Sequence, residues 1–329
     1  MRRLQADTAM LPPHVGETVV TVGTFDGVHR GHLDVLLRLV ARARATGRAS
    51  LLLTFEPHPL ELLNPEKAPR LLTTREEKLA AIVATGLDYV AILPFTRELA
   101  NHSAEEFVDL VLRGRFQMAE LLIGHDHGFG RGRAGDVDTL RTLGAVRGFA
   151  VDVVAPVEMV DGEPVSSTRI RQAVAEGDLA TAEAGLGRPY SVSGVVVAGE
   201  ARGRALGFPT LNVVPESSRK LLPPDGVYAV LVDTPGGRFG GMMNLGGRPT
   251  FGDERSTIEA HLFGAEGDFY GAVVQVGFVA RLRDTRRFAG PRALMQQLAV
   301  DEEGARRALT LLAESGNLKG SMHFPPSTP

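Results

Sequence analysis

The stretch that decides the reading of this chain is Gly23 to His32, GTFDGVHRGH. It follows TVVTV (18–22), a β-branched run that predicts a buried strand ending at a glycine turn. After it, Leu33, Leu36, Leu37 and Val40 recur at helical spacing, and Gly47 supplies a stop. A strand, a glycine-rich turn and a helix start together present free backbone N–H groups and the positive end of a helix dipole, a setting that favours phosphate. Glycines let the backbone approach such a ligand. His29 and His32, three residues apart, can donate to the same phosphate oxygens and stabilise charge that builds up on phosphorus. Two other readings compete at this level. The histidines can be ordinary residues of a helix start, or they can join His125 and His127 in a structural zinc site, although no carboxylate follows HRGH at metal-ligand spacing.

Working outward, the first half alternates strand and helix. Residues 51–55 (LLLTF), 89–93 (YVAIL), 121–124 (LLIG) and 151–156 (VDVVAP) predict further buried strands. Thr74 with Glu77 and Ser103 with Glu106 have capping-box spacing and predict helix starts. Continuous apolar strands separated by helices imply an α/β domain whose parallel sheet is covered on both faces. Beyond about Gly185 the pattern changes. Alternating valines at 188–198 and short strand-like runs at 226–233, 239–245, 257–264 and 271–279, punctuated by glycine, proline and aspartate, predict a small antiparallel barrel or sandwich. A helix over about 291–314 closes it. GLGRP breaks the helical pattern at 185–188, which sets the expected division at 1–186 and 187–329. No element is assigned ahead of Glu17, and the proline-rich end GSMHFPPSTP reads as frayed.

Composition narrows the function. A chain of 329 residues has room for about two cores, and 43% hydrophobic with 23% charged residues is ordinary for a globular protein. A net charge of -3 argues against a general nucleic-acid binder, which needs a concentrated basic face. The absence of cysteine excludes disulfides, thiolate metal sites and a cysteine nucleophile, and fits a reducing compartment. No run of about 18 apolar residues predicts a spanning helix, and MRRLQADTAMLPPHVGE lacks the apolar core of a secretory signal. The expectation is a cytoplasmic protein, a monomer or weak homo-oligomer, with small-molecule partners and neither nucleic acid nor membrane among them.

Two more segments carry chemistry. In VSSTRIR (165–171), Ser166, Ser167 and Thr168 offer hydroxyls and N–H groups at a helix start, and Arg169 and Arg171 offer phosphate charge. In isolation this equally fits an ordinary cap with solvated arginines. In LGFPTLN (206–212), Thr210 and Asn212 carry oxygen ligands suited to a hard cation, and in an extended segment both would share one face. Alone, that segment equally reads as a turn. Gly203, Gly207, Gly246 and Gly247 can wall a phosphate or merely form tight turns.

The order of these motifs supports a more specific reading. HRGH after a first strand resembles the nucleotidyltransferase superfamily. With Gly23, Phe25, Asp26 and Gly27 ahead of it, it resembles the adenylyltransferase half of the bacterial bifunctional riboflavin kinase/FAD synthetase family. TFEPHP (54–59), GHDHGFGRGRAGD (124–136) and VSSTRIR match that family in the same order, and so do GRPYSVSG, RGRALGFPTLN, PDGVYAV, NLGGRPTF, IEAHLF and GDFYG across most of 187–272. The resemblance implies a Rossmann-like nucleotidyltransferase domain followed by a riboflavin-kinase β-barrel with a C-terminal helix.

It also implies roles. Gly23, Phe25, Asp26, Gly27, Ser166, Ser167, Thr168 and Arg169 would bind ATP phosphates, with His29 and His32 catalytic. Asp126, Phe129 and Gly130 would form a flavin and nucleotide loop. Gly207, Pro209, Thr210 and Asn212 would hold ATP, with Thr210 and Asn212 also taking Mg²⁺. Glu259 would be the base that accepts the proton of the riboflavin 5′-hydroxyl as it attacks the γ-phosphorus. FMN would then attack the α-phosphorus of a second ATP, giving FAD and pyrophosphate. One departure stands out: His125, His127 and Gly128 occupy places where the family usually carries an aromatic and a basic residue. That keeps a weak or altered adenylyltransferase as an alternative. A flavin-storage or sensor protein would need only a flavin pocket, and another HxGH enzyme, such as one acting on pantetheine phosphate, leaves the second half unexplained.

Overall fold

The computed structural model describes residues 1–5, 10–125, 128–199, 203, 207–247 and 256–314. By contact the chain forms two compact units. The first comprises Met1–Arg70 and Arg75–Ser167, and the second Leu71–Thr74 and Thr168–Pro329.

The first unit is built on β1 (Arg2–Gln5), β2 (Thr18–Val22), β3 (Ala49–Glu56), β4 (Tyr89–Pro94), β5 (Met118–Gly124) and β6 (Ala150–Val154). All pair in parallel, in the order β1-β4-β3-β2-β5-β6. Because side chains alternate along a strand, a sheet covered on both faces needs apolar residues at every position. Accordingly, Val20, Val22, Leu51 and Leu53 enter one core, while Val19 and Leu52 enter the other. Helix α1 (Arg30–Thr46) buries Val35, Leu36, Leu39, Val40 and Ala43, and Gly47 ends it in the left-handed conformation. Helices α2 (Pro59–Leu63), α3 (Arg75–Val83), α4 (Arg97–Asn101), α5 (Ala104–Glu106) and α6 (Val137–Arg147) follow. Ser103 and Glu106 form the expected capping box at α5. Strand β1 adds an element that the sequence pattern lacks. It is a short edge strand with exposed arginines, paired through its backbone with β4, and only Leu4 packs on the core.

After β2 the chain passes to β3 and β4 on one side, and β5 and β6 extend the sheet on the other. The strand order therefore reverses between β2 and β5. In parallel sheets, the crevice outside the carboxyl ends of the strands at such a point is the usual ligand site. The turn after β2 carries GTFDGVHRGH, and the loop after β5 carries the GFG segment.

Beyond Leu71–Thr74, the second unit contains α7 (Ser167–Glu176), whose first residue Ser167 belongs to the first unit, and α8 (Leu179–Leu186). A closed antiparallel barrel follows, made of β7 (Ser191–Val197), β8 (Leu211–Pro215), β9 (Gly226–Thr234), β10 (Gly237–Gly247), β11 (Ser256–Leu262) and β12 (Val273–Arg283). Of the barrel and the sandwich left open by the pattern, the barrel is what forms. Helix α9 (Pro291–Glu314) lays Ala305 and Leu309 against Ala229, Leu231, Met242 and Phe263 on the barrel's outside. An ion pair with a buried Asp301 reinforces it: Arg283 Nη2 lies 2.7 Å from Asp301 Oδ2. Leu71–Thr74 joins this unit through hydrogen bonds from Leu71 N to Arg219 O (2.9 Å) and from Leu221 N to Leu71 O (2.8 Å).

Candidate active sites

In the first unit the turn after β2 is tightly wound. Phe25 (φ 49°), Gly27 (φ 84°) and Val28 (φ 40°) all take positive φ. For the two non-glycine residues this is uncommon and costly, and such strain concentrates at ligand sites. The turn is therefore held from outside. Thr24 O accepts from Thr54 Oγ1 (3.2 Å) and from Lys78 Nζ (3.1 Å), and Asp26 O accepts from Ser167 Oγ (2.9 Å). Phe25 and Asp26 are buried.

The turn delivers the two imidazoles. His29 is the N-cap of α1, and its Nδ1 accepts from His32 N at 3.3 Å. That leaves the opposite ring nitrogen, Nε2, as the donor of a neutral His29. The two rings stack with centroids 3.6 Å apart at 17°, and Phe25 lies 4.6 Å from the His32 ring. Gly31 makes the stack possible, since a Cβ there would come within 3.3 Å of the His29 ring. Two parallel imidazoles at the open end of a buried strand present ring edges where a helix N-terminus favours anions. No group of three or more His, Cys, Asp or Glu suited to a metal ion occurs among the described residues, which do not include the His127 of the zinc reading.

The remaining first-site candidates divide. Ser166 and Ser167 are half-buried at the start of α7, Arg169 is half-buried and Thr168 exposed. Ser167 reaches the turn through Asp26 O. Asp126, with His127, lies outside the described residues. Phe129 is buried against Phe107 (centroids 5.0 Å), which leads through Phe55 (6.4 Å) to Phe95 (5.5 Å). Gly130 has φ 77°, and a Cβ there would sit 2.8 Å from Ala104 N.

In the second unit, register brings the candidates together. Glu259 on β11 is paired with Asn212 on β8 and with Asn244 on β10. Directly opposed residues share a face with Cβ atoms about 5 Å apart, so the three form one row across three strands. Ile258 and Ala260 are buried and Glu259 is half-buried, as alternation requires. Gly199 is shaped to Asn212: a Cβ there would stand 2.0 Å from Asn212 Nδ2. Thr210 lies just ahead of β8, so strand alternation does not place it. Its neighbour Pro209 is held instead, through a 2.8 Å hydrogen bond from His261 Nδ1 to Pro209 O. A carbonyl can only accept, so Nδ1 carries the proton. Gly207 takes φ 82°, and a Cβ at Gly203 would collide with Phe208 O at 2.3 Å.

A 42% identical relative from Pseudomonas fluorescens, matched over 90% of this chain and 94% of its own, is a bifunctional riboflavin kinase/FMN adenylyltransferase. This chain belongs to that family. A relative of the same name from Escherichia coli K12 is 40% identical over 88% of this chain and 91% of its own. The family model for FAD synthetase matches residues 11–169, and that for riboflavin kinase matches 186–309, so each family model falls on one of the two candidate sites. A solved Streptococcus pneumoniae structure described as a macrolide-efflux protein is 30% identical, with a TM-score of 0.83 over 93% of this chain and 98% of its own. No described helix here is long and apolar enough to cross a membrane.

Within this bifunctional family, the sequence reading missed several supports. Lys78 and Thr54 hold Thr24 O, Gly199 shapes the seat of Asn212, and Asn244 completes the Glu259 row. His261 lies within IEAHLF, and the family resemblance assigns it no role. None carries a local signal, because each acts through a partner distant in sequence.

Proposed function

We propose that the chain phosphorylates riboflavin to FMN in its second unit and adenylylates FMN to FAD in its first, using ATP in both, with functional halves at about 1–186 and 187–329. The observation that carries the reading is the pairing of two phosphate-type sites on the matching frames: stacked His29 and His32 at the switch point of the parallel sheet, and Glu259 between Asn212 and Asn244 on the barrel.

In the kinase step the riboflavin 5′-hydroxyl attacks the γ-phosphorus, its proton passes to the Glu259 carboxylate, and ADP leaves. The hydroxyl of Thr210 and the amide oxygen of Asn212 are neutral oxygen donors. They suit a hard Mg²⁺ that completes its shell with substrate phosphates, and that ion would neutralise phosphate charge. Gly207 and Pro209 shape the same segment around ATP.

In the adenylyl step an FMN phosphate oxygen attacks the α-phosphorus of ATP and pyrophosphate leaves. His29 and His32 donate to the phosphate oxygens on which charge accumulates. Gly23, Phe25, Asp26 and Gly27 keep the turn open to the triphosphate, and Ser166, Ser167, Thr168 and Arg169 close on it. Asp126, Phe129 and Gly130 take the flavin side, with the Phe129–Phe107 contact as an apolar wall. The enzyme is cytoplasmic, and the absence of cysteine supports a reducing compartment.

The test follows products from riboflavin, ATP and Mg²⁺ over time. The His29→Ala, His32→Ala double variant should stop at FMN, whereas Glu259→Ala should make FAD only when FMN is supplied. Equal loss of both activities in either variant contradicts the division of labour. FMN accumulation without FAD in the native chain favours the altered adenylyltransferase suggested by His125 and Gly128.

A further inference from the structure

Lys78 stands out among groups to which the mechanism gives no role. It lies on α3, and its only side-chain hydrogen bond among the described residues is from Nζ to Thr24 O at 3.1 Å; it makes no ion pair there. Burial lowers its pKa from the ordinary lysine value, with Asp26 and Glu56 acting at longer range to offset this and Arg75 adding to it. Withdrawing an ammonium from water without a partnered carboxylate is unfavourable, and an apolar side chain of similar length would avoid that cost. The carbonyl it grips begins the turn in which Phe25, Gly27 and Val28 all take positive φ. Backbone hydrogen bonds from Gly23 N to Leu53 O (3.0 Å) and from Val28 N to Phe25 O (3.2 Å) flank that turn, and it leads directly into the His29–His32 stack.

We propose that Lys78 is a positioning residue of the adenylyl-transfer site, fixing Thr24 and through it the strained turn and the two imidazoles in the shape that the ATP phosphates require. This rests on the FMN adenylyltransferase reading of the first unit. Thr54 Oγ1 reaches the same carbonyl, so the grip is shared, but only Lys78 brings a positive charge to it. An ammonium has three donors, and one of them is engaged by Thr24 O. Charge-assisted donors are the stronger kind, and small displacements of positioned groups are expensive in rate.

The test uses the full chain and measures both activities in the same preparation. Lys78→Met keeps the stem length and removes the donor. It should lower kcat/KM for FAD formation from FMN and ATP at least tenfold, while riboflavin phosphorylation stays within twofold. Lys78→Arg, which restores a charged donor, should recover at least half of the lost activity on a logarithmic scale. A merely structural role predicts a lower melting temperature without that charge-dependent recovery. FAD formation by Lys78→Met within twofold of the native chain overturns the inference, as does equal impairment in Lys78→Met and Lys78→Arg. If Lys78→Met fails to fold, Lys78→Gln, which keeps a donor without the charge, decides: FAD formation within twofold of native overturns the inference, and at least tenfold loss with the kinase intact supports it. A native chain that forms no FAD at all would instead defeat the reading of the first unit.

Discussion

Replacing Gly199 with alanine tests the barrel site without replacing any residue proposed to bind or catalyse. The added Cβ would stand 2.0 Å from Asn212 Nδ2, 2.5 Å from Cγ and 2.8 Å from Oδ1. Ordinary contact begins near 3.4 Å, so the Asn212 amide must retreat by about 1.4 Å. The obstacle is the end of a two-torsion side chain, not backbone, so the amide can swing aside, and folding should suffer by about 1 kcal/mol or less. The chemistry has no such freedom. A misplacement of about 1 Å in a positioned group can cost roughly 100-fold, and disturbing the surroundings of a metal ligand typically costs about 10- to 100-fold. Gly199→Ala should therefore lower riboflavin kinase kcat/KM by roughly 100-fold, partly relieved by raising Mg²⁺, while melting temperature and FAD formation from supplied FMN stay near native. The assay follows ADP release with riboflavin, alongside FAD formation with FMN, in one preparation. Kinase activity within twofold of native would refute the seating of Asn212 as the reason for a glycine at 199.

Three further outcomes follow from the same geometry. His261→Ala removes the donor to Pro209 O, a bond worth about 1 kcal/mol, so half-saturation of the kinase by Mg-ATP should rise roughly fivefold in a titration. Gly130→Ala forces a side chain into φ 77° and against Ala104 N at 2.8 Å. It should destabilise the first unit by about 1–3 kcal/mol in denaturant melts and depress FAD formation while leaving FMN formation intact. Burial raises the Glu183 pKa above its ordinary 4.5, so the fold disfavours the ionised carboxylate. The stability this group leaves intact below pH 4.5 is lost as pH rises through the raised value. Glu183→Gln should accordingly raise the melting temperature at pH 7, and the gain should vanish at about pH 4.

The parts of the fold legible in sequence are those where burial dictates composition. TVVTV and LLLTF announce strands because a two-faced core demands an apolar side chain at every position. Strand β1 escapes that logic, since in RRLQ only Leu4 reaches the core and the strand is held mainly by backbone pairing with β4. Strand β8 escapes it too: LNVVP is short, contains proline and asparagine, and reads as a ligand loop before it reads as a strand. The sites show the same divide. HRGH is contiguous, so its phosphate character is visible in ten residues of sequence. The partnership of Asn212, Glu259 and Asn244 exists only in the register of three strands far apart in the chain. A periodic pattern says which face Glu259 takes but not what stands beside it.

The concealed residues share one physical task. Lys78, Thr54 and His261, like the sequence-predicted Ser167, each direct a side-chain donor at a backbone carbonyl of a site segment: Thr24 O, Asp26 O or Pro209 O. Phosphoryl and adenylyl transfer require little covalent work from a protein. Rate comes from placing charge and donors where charge develops, with tolerances of tenths of an ångström. Loops free to take the needed shape are too soft to keep it, and strained turns such as Phe25–Val28 return to ordinary conformations unless restrained. Donors anchored in helices and strands supply the restraint, and because they grip backbone, the gripped residue can change identity while the restraint persists. It follows that substituting a gripping donor should impair only the activity of the unit in which it sits, whereas substituting the gripped residue should matter less wherever its own side chain stays clear of the phosphates.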